Sequence, residues 1–425
     1  MKKSFLRAAM VASLSVFIAG MISIPASAAT ADAAGPKISK AISKPLSAAQ
    51  KALEAKDWAT AIAKGKEAQA LSDQTDYDTF MINYLLGLAY FNSGDKADAT
   101  TAFLAATQST TAPADQKSTV LRIALKLAND AANYSKVIEL GEMALKTGPV
   151  DETVAEIVAV AYYNKNDCAN ALATTPKAIA AAQAAAKIPE RSTYQVQLMC
   201  QNKAKDMAAE IKTLESMANL YGQPEDWGNL LEFSLGVLPT SKVFREISVL
   251  DVLRLGLITK AELVADDYTL MADLALGLHN PGDSQNALRV GLQSGKLTQA
   301  KIGAKLNKVN ADAAGDEQTL GAAEAAAAKS GTNERDVSVA EGYYSYGHYA
   351  DAVRVAQRAV GKPGSKRLQA QLLLGMSQAA MGDNANAAQS LALVKGDAGM
   401  ERTAFLWSLY ATRKYGLPAA PAAGH

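Results

Sequence analysis

The sequence predicts an all-α chain built of stacked helix hairpins. From Leu46 onward, long segments rich in Ala, Leu, Lys, Glu and Gln place apolar residues at i, i+3, i+4 and i+7, the period of a helix that buries one face. Short turns separate these segments, among them Asn92-Ser93-Gly94-Asp95, Asn280-Pro281-Gly282-Asp283 and Met381-Gly382-Asp383-Asn384. No stretch sustains the two-residue alternation with β-branched enrichment that marks a strand. The chain has 425 residues, 49% of them hydrophobic, which excludes wholesale disorder. Its 43 basic side chains face 42 acidic ones, so a polyanion binder working by bulk charge is excluded and no nucleic-acid partner is expected.

The chain opens as an export signal. Lys2, Lys3 and Arg7 form a positive region, an apolar run follows from Ala8 to Ile24, and Ala26-Ser27-Ala28 has the small-x-small form of a cleavage site. Residues 1–28 are therefore expected to be a signal peptide. No basic stop-transfer cluster follows the run, and no transmembrane segment is expected in the mature chain. The only cysteines are Cys168 and Cys200, so none stands at the cleavage site for lipid attachment, and no twin-arginine pair precedes it. Losing three basic residues and no acidic one leaves the mature chain mildly acidic. A periplasmic or secreted protein is expected, with residues 29–44 as a small-residue leader.

The helical part repeats itself. In the segment from Leu86 to Ala106, Gly87 is the small residue of a first helix and Tyr90 a large one a turn later. Gly94-Asp95 breaks the chain, and Ala99, Phe103 and Ala106 follow in a second helix. The order recurs with Ala275, Leu278, Gly282, Asp283 and Ala287. It recurs again with Tyr343, Gly347, Tyr349, Ala352 and Ala359, and with Gly375, Gly382, Asp383, Ala387 and Leu391. Weaker copies hold Trp58, Ala61 and Ala68; Tyr134, Val137 and Ala144; and Ala159, Tyr162 and Ala171. A ragged helix pair from Cys200 to Tyr221, with Ala209 as its small residue, continues the series. Antiparallel helices approach closely only where both offer a small side chain, with larger ones filling the space beside the crossing. Glycine permits the left-handed turn, and aspartate caps the incoming helix.

This small–large–Gly–small–large–small pattern resembles the tetratricopeptide repeat, whose period is about 34 residues. The resemblance implies a right-handed α-solenoid whose first helices line a concave groove that takes a protein or peptide ligand. It divides the chain into repeats over 45–222, an irregular helical junction over 223–265, and further repeats over 266–401. A capping helix over 402–415 then covers the apolar end that every solenoid exposes, and a tail over 416–425 follows. The stretch from Leu297 to Lys329, rich in Ala, Lys and Asp, is expected to be a helical pair. The resemblance supplies no activity.

Few residues suggest chemistry. None of His279, His348 and His425 has a second histidine at i+3 or i+4, so no helical metal pair exists. The stretch Gly342 to Gly347 is one residue too long for a nucleophile elbow and follows no strand. Phosphate-cradling glycine motifs are missing. Carboxylate pairs such as Asp151-Glu152 and Asp266-Asp267 start helices, where orphan N–H groups favour them. No catalytic residue, metal or cofactor is assigned, and the chain is expected not to be an enzyme.

One surface feature recurs at the ends of the first helices: Phe91-Asn92, Asn129-Asp130, Tyr163-Asn164, His279-Asn280 and Tyr344-Ser345. The resemblance places ligand-facing residues there, and Phe91, Asn92, Asn129, Tyr163, Asn164, His279, Asn280 and Tyr344 are the candidates. Aromatic rings give rigid contact area, and amides bond an extended backbone in both directions. The competing reading is that Asn and Ser merely end helices while the ring packs beneath the next repeat. Cys168 opens one second helix and Cys200 lies near the end of the next first helix. Because these helices run antiparallel, the thiols either form a bridge clamping two repeats or stay buried and free. The expected function is a non-catalytic binding scaffold of the cell envelope. The alternative is an accessory subunit for assembly or export of an envelope polymer. Partner identity and oligomeric state are not legible.

Overall fold

The computed structural model describes residues 36–146, 149–238 and 244–413. The expected signal peptide, most of the expected leader and the tail lie outside the described residues. Within them every regular element is an α-helix. The chain forms two compact units that meet between Lys205 and Asp206, seventeen residues before the boundary expected at 222/223.

The first unit contains α1 (Lys40–Glu54), α2 (Trp58–Gln69), α3 (Asp76–Ser93), α4 (Lys96–Thr107), α5 (Ala114–Asp130), α6 (Tyr134–Lys146), α7 (Glu152–Asn164), α8 (Cys168–Ala184) and α9 (Arg191–Ala204). Each helix packs on the next, and α1 on α3, α5 on α7 and α7 on α9 pack as well. Hairpins thus stack through their first helices. Helix α1 starts inside the stretch expected to be a leader. Its Ile42, Leu46 and Ala49 share one face and bury it in the core around α3. The Ser39 amide also donates to the Asp78 carboxylate at the head of α3 (2.9 Å).

The turns inside the hairpins share one construction. A residue with left-handed backbone ends the first helix, and the residue after it caps the second. The pairs are Lys56-Asp57, Gly94-Asp95, Ala132-Asn133 and Asn166-Asp167 in the first unit, and His279-Asn280, Gly347-His348 and Gly382-Asp383 in the second. In each, the amide of the second residue bonds back to a carbonyl of the first helix's last turn, as in Asp95 N to Tyr90 O (2.9 Å) and Asn280 N to Ala275 O (2.8 Å). This is the Schellman arrangement, which satisfies carbonyls the helix leaves orphaned. The caps then accept forward: Asp57 from the Thr60 amide, Asp167 from that of Asn170 and Asp383 from that of Asn386. Beyond the turns, the second-helix positions Ala61, Ala99, Val137, Ala171, Ala287, Ala352 and Ala387 are all fully buried, whereas Ala209 of the ragged pair is only half-buried.

The second unit contains α10 (Met207–Leu220), α11 (Pro224–Val237), α12 (Arg245–Ile258), α13 (Ala265–Gly277), α14 (Pro281–Gln293), α15 (Gln299–Ala328), α16 (Glu334–Ser345), α17 (Tyr349–Val360), α18 (Arg367–Ala380), α19 (Asn384–Ala392) and α20 (Ala398–Ala411). It departs from expectation in four places. Helix α15 is one 30-residue helix rather than a pair, because no proline or capped turn interrupts its alanine-rich run. Helices α11 and α12, expected as a junction, supply core instead: Trp227, Leu230, Leu231, Leu250, Leu253 and Leu255 are buried. Helix α20 does more than cap the last repeat. It packs on α18 and α19 and also on α10 and α12, so the end of the unit returns to its beginning. Gly282 is not the turn residue. It lies within α14, where an added Cβ would stand 2.6 Å from Ser345 Oγ, and the left-handed residue is His279.

Candidate interaction surface

In the first unit the candidate residues occupy equivalent ends of α3, α5 and α7. Phe91 and Tyr163 are half-buried and pack against the core. Asn92 and Asn164 are exposed, and each side-chain amide donates to the carbonyl four residues earlier, Leu88 O (2.7 Å) and Val160 O (2.8 Å). That bond fixes the amide while its oxygen keeps acceptor capacity. Asn129 is half-buried at the matching point of α5. Lys203 of α9 extends the row. Its ammonium stands 4.5 Å from the Tyr163 ring centroid and donates to Asn166 Oδ1 (2.9 Å) in the α7–α8 turn. A cation over an aromatic face is attracted by the ring quadrupole. Lys203 was not among the sequence candidates; its place one repeat after Asn164 and Asn166 was the available signal.

The second unit breaks the row. His279 is exposed but serves as the left-handed turn residue. Asn280 is buried as the cap before α14, and Tyr344 is buried in the interior, so neither can line a groove. For Tyr344 the cause is the return of α20. Trp407 packs edge-on to Tyr344 (centroids 6.5 Å apart), Tyr349 does so from another side (5.2 Å), and the Arg254 guanidinium covers the ring at 4.7 Å.

Arg254 centres a charged cluster that the sequence did not reveal. The cluster is buried, with Arg254 and Asp251 each 2% exposed and Glu341 7%. Arg254 Nη1 meets Asp251 Oδ1 at 2.7 Å, Nε meets Asp283 Oδ2 at 3.1 Å, and Nη2 lies 2.8 Å from Glu341 Oε2. Gln369 of α18 donates weakly to the other Glu341 oxygen (3.4 Å), and Trp407 Nε1 donates to the Asp251 carbonyl (3.0 Å). Burial pushes the Asp251 carboxyl up to about 7 against the pull of Arg254, with Glu341 and Asp283 adding repulsion. Burial also raises Asp283. On α20, Arg402 holds the two ends of the unit together, bonding Glu215 of α10 and Ser234 of α11.

Cys168 and Cys200 are joined as a disulfide between α8 and α9, with Cα atoms 5.2 Å apart. Among the described residues, no group of three or more His, Cys, Asp or Glu side chains is arranged to hold a metal ion. No helix there is long and apolar enough to cross a membrane.

No family model matches the chain, and no curated protein matches it. Solved structures do. The chain is similar to tetratricopeptide-repeat proteins. A tetratricopeptide repeat protein from Parabacteroides merdae is 12% identical, the match covering 64% of this chain and 99% of that one, with a TM-score of 0.33. The P58(IPK) TPR domain is 12% identical over 87% of this chain and 98% of that one, with a TM-score of 0.24. A chain of Naa15/Naa10 bound to HypK-THB is 15% identical over 85% of this chain and 60% of that one, with a TM-score of 0.38. At these TM-scores the likeness carries no argument about partners; the hairpin architecture rests on this chain's own helices.

Proposed function

We propose that the protein is a non-catalytic scaffold that holds a protein or peptide partner along the first-helix ends of its first unit. The observation that carries this is the row formed by Phe91-Asn92, Asn129 and Tyr163-Asn164 on successive hairpins, continued by Lys203. Half-buried rings give contact area at little loss of side-chain entropy, because the core already orders them. The exposed amides supply acceptors at hairpin spacing, which suits an extended segment lying across the repeats. The signal-like sequence from Lys2 to Ala28 supports a place in the cell envelope or outside the cell.

A photo-crosslinking residue placed at Asn92 or Asn164 in intact cells should capture a discrete partner band. The same probe at Thr101, exposed on the second helix α4, should not. Equal capture from all three positions, or none from the first two, would overturn the assignment. Cell fractionation tests the compartment separately, and retention in the cytoplasm would refute export.

A further inference from the structure

Three buried carboxylates surround one guanidinium in the second unit, and they come from three helices: Asp251 on α12, Asp283 on α14 and Glu341 on α16. Fully ionised, the cluster would carry net negative charge in an interior where each uncompensated ion costs several kcal/mol. Holding a proton is the cheaper state. The cluster also sits at the point of closure. Arg254 and Asp251 lie on α12, which α20 covers, and the Asp251 carbonyl accepts from Trp407.

We propose that this cluster is a proton-linked latch: one carboxyl stays protonated in the closed second unit, and losing that proton loosens α12 and α20 from the middle helices.

The surroundings support a proton there. The groups acting on Asp251 are Arg254 from its own helix, Glu341 from α16 and Asp283 from α14. Around them stand the Tyr344 ring of α16, Tyr349 of α17, the neutral Gln369 of α18, and Trp407 with Tyr410 on α20. Helices α11 and α13, also packed on α12, carry the buried Asp226 and Tyr268. Among the described residues, Arg254 is the one cation that meets the three carboxylates, and the Tyr344 hydroxyl has no hydrogen-bond partner. A carboxyl whose proton is held more tightly folded than unfolded adds stability that is complete below its unfolded pKa. That stability is lost as pH rises through the folded pKa. The second unit should therefore weaken as pH rises from the acid range to neutrality, opposite to the usual behaviour of a paired carboxylate.

The test is hydrogen exchange of the full chain, followed by mass spectrometry from pH 5.5 to 8.5 and corrected for intrinsic rates. Protection of peptides from α12 and α20 should fall by up to about tenfold per pH unit between pH 5.5 and neutrality and level off above it, while α3 and α7 stay level. Asp251→Asn, a neutral isostere, should keep the protection and remove its pH dependence. Flat protection of α12 and α20 in the natural protein would overturn the latch, as would an Asp251→Asn variant that keeps the full pH dependence. If that variant fails to fold, infrared spectroscopy of the natural protein decides. With aspartate isotope-labelled, a protonated carboxylic-acid band should persist at pH 6 and fade by pH 8.5. Its absence at pH 6 would equally sink the proposal. The outcome is independent of whether the first unit binds a partner.

Discussion

Replacing Gly87 by alanine should destabilise the first unit, although the same change at an open helical position stabilises. The sign comes from the helix crossing. A Cβ at Gly87 would stand 2.7, 2.8 and 2.9 Å from three atoms of the Phe103 ring, where carbon atoms prefer about 3.5–4.0 Å. Phe103 is fully buried and packs at a tilt against Tyr84, centroids 6.3 Å apart, so the ring has no space into which to swing. Overpacking of this kind costs about 1–3 kcal/mol, and the better helix propensity of alanine returns up to about 1 kcal/mol. The net expectation is a loss of roughly 1–2 kcal/mol. Gly315 on α15 is the control: nothing lies within 4 Å of its added Cβ, and Gly315→Ala should gain about 0.5–1 kcal/mol. Urea unfolding at 25 °C measures both. Phe103→Leu combined with Gly87→Ala closes a double-mutant cycle whose coupling should be about 1 kcal/mol in the direction of rescue. A Gly87→Ala protein as stable as the parent, or a leucine that fails to relieve it, would refute close approach as the reason for small residues at these crossings.

Ala132 holds a left-handed backbone (φ 52) in the α5–α6 turn. Ala132→Gly should therefore raise the unfolding free energy by roughly 0.5–1 kcal/mol net of the extra unfolded-chain entropy; an unchanged or lower urea midpoint would contradict the turn geometry. Labelling unfolded protein without reductant should find no free thiol, and Cys200→Ser should cost about 3–4 kcal/mol for a bridge that closes a 32-residue separation; recovery of two thiols would refute the bridge. Glu324, whose side chain is 16% exposed, is held at about 2 by Arg354 first, with Tyr343 and Arg358 adding to it. A depressed carboxyl stabilises above its unfolded pKa and loses that contribution as pH falls. Discounted for the half-exposed Arg354, Glu324→Gln should cost about 1–2 kcal/mol at pH 7 and progressively less on acidification from pH 4.5 toward pH 2. An equal cost at both ends of that range would refute the ionic origin.

The hairpins were legible because crossing geometry acts on single positions. Ala61, Ala99, Val137, Ala171, Ala287, Ala352 and Ala387 had to be small, and all are buried. The turns were legible only in part. Glycine was taken as their mark, yet Lys56, Ala132, Asn166 and His279 adopt the same left-handed backbone. The more faithful signal is the Asp or Asn that follows, which caps forward at positions 57, 95, 133, 167 and 383, though Asn280 and His348 make no such bond. At position 282 that bias misassigned the turn. Of the candidate surface, Phe91, Asn92, Asn129, Tyr163 and Asn164 lie at matching ends of α3, α5 and α7, half-buried or exposed. Tyr344 and Asn280 are buried instead: Trp407 of a distant helix covers Tyr344, which repeat equivalence cannot anticipate, and Asn280 is the buried residue that starts α14. The Arg254 cluster was hidden for a related reason. Its arginine sits in an otherwise leucine-rich run, and two of its three carboxylates, Asp283 and Glu341, come from other helices well along the chain.

Closure makes the two units different physical objects. In the first, each hairpin touches only its neighbours, so stability is close to a sum of local terms and an end can fray alone. In the second, α20 touches helices from both ends of the unit, and Arg402 and Trp407 reach α10, α11 and α12. Removing α20 therefore does more than uncover one repeat. It exposes Trp227 and Tyr344, both buried against it or its neighbours, and opens the Arg254 cluster to water. A chain ending at Lys395 should lose exchange protection throughout α10 to α14 together with α18, whereas a chain lacking α1 and α2 should lose it mainly at α3. If the C-terminal truncation loosened only α18 and α19, the second unit would be an open stack after all, and its ends would not be thermodynamically joined.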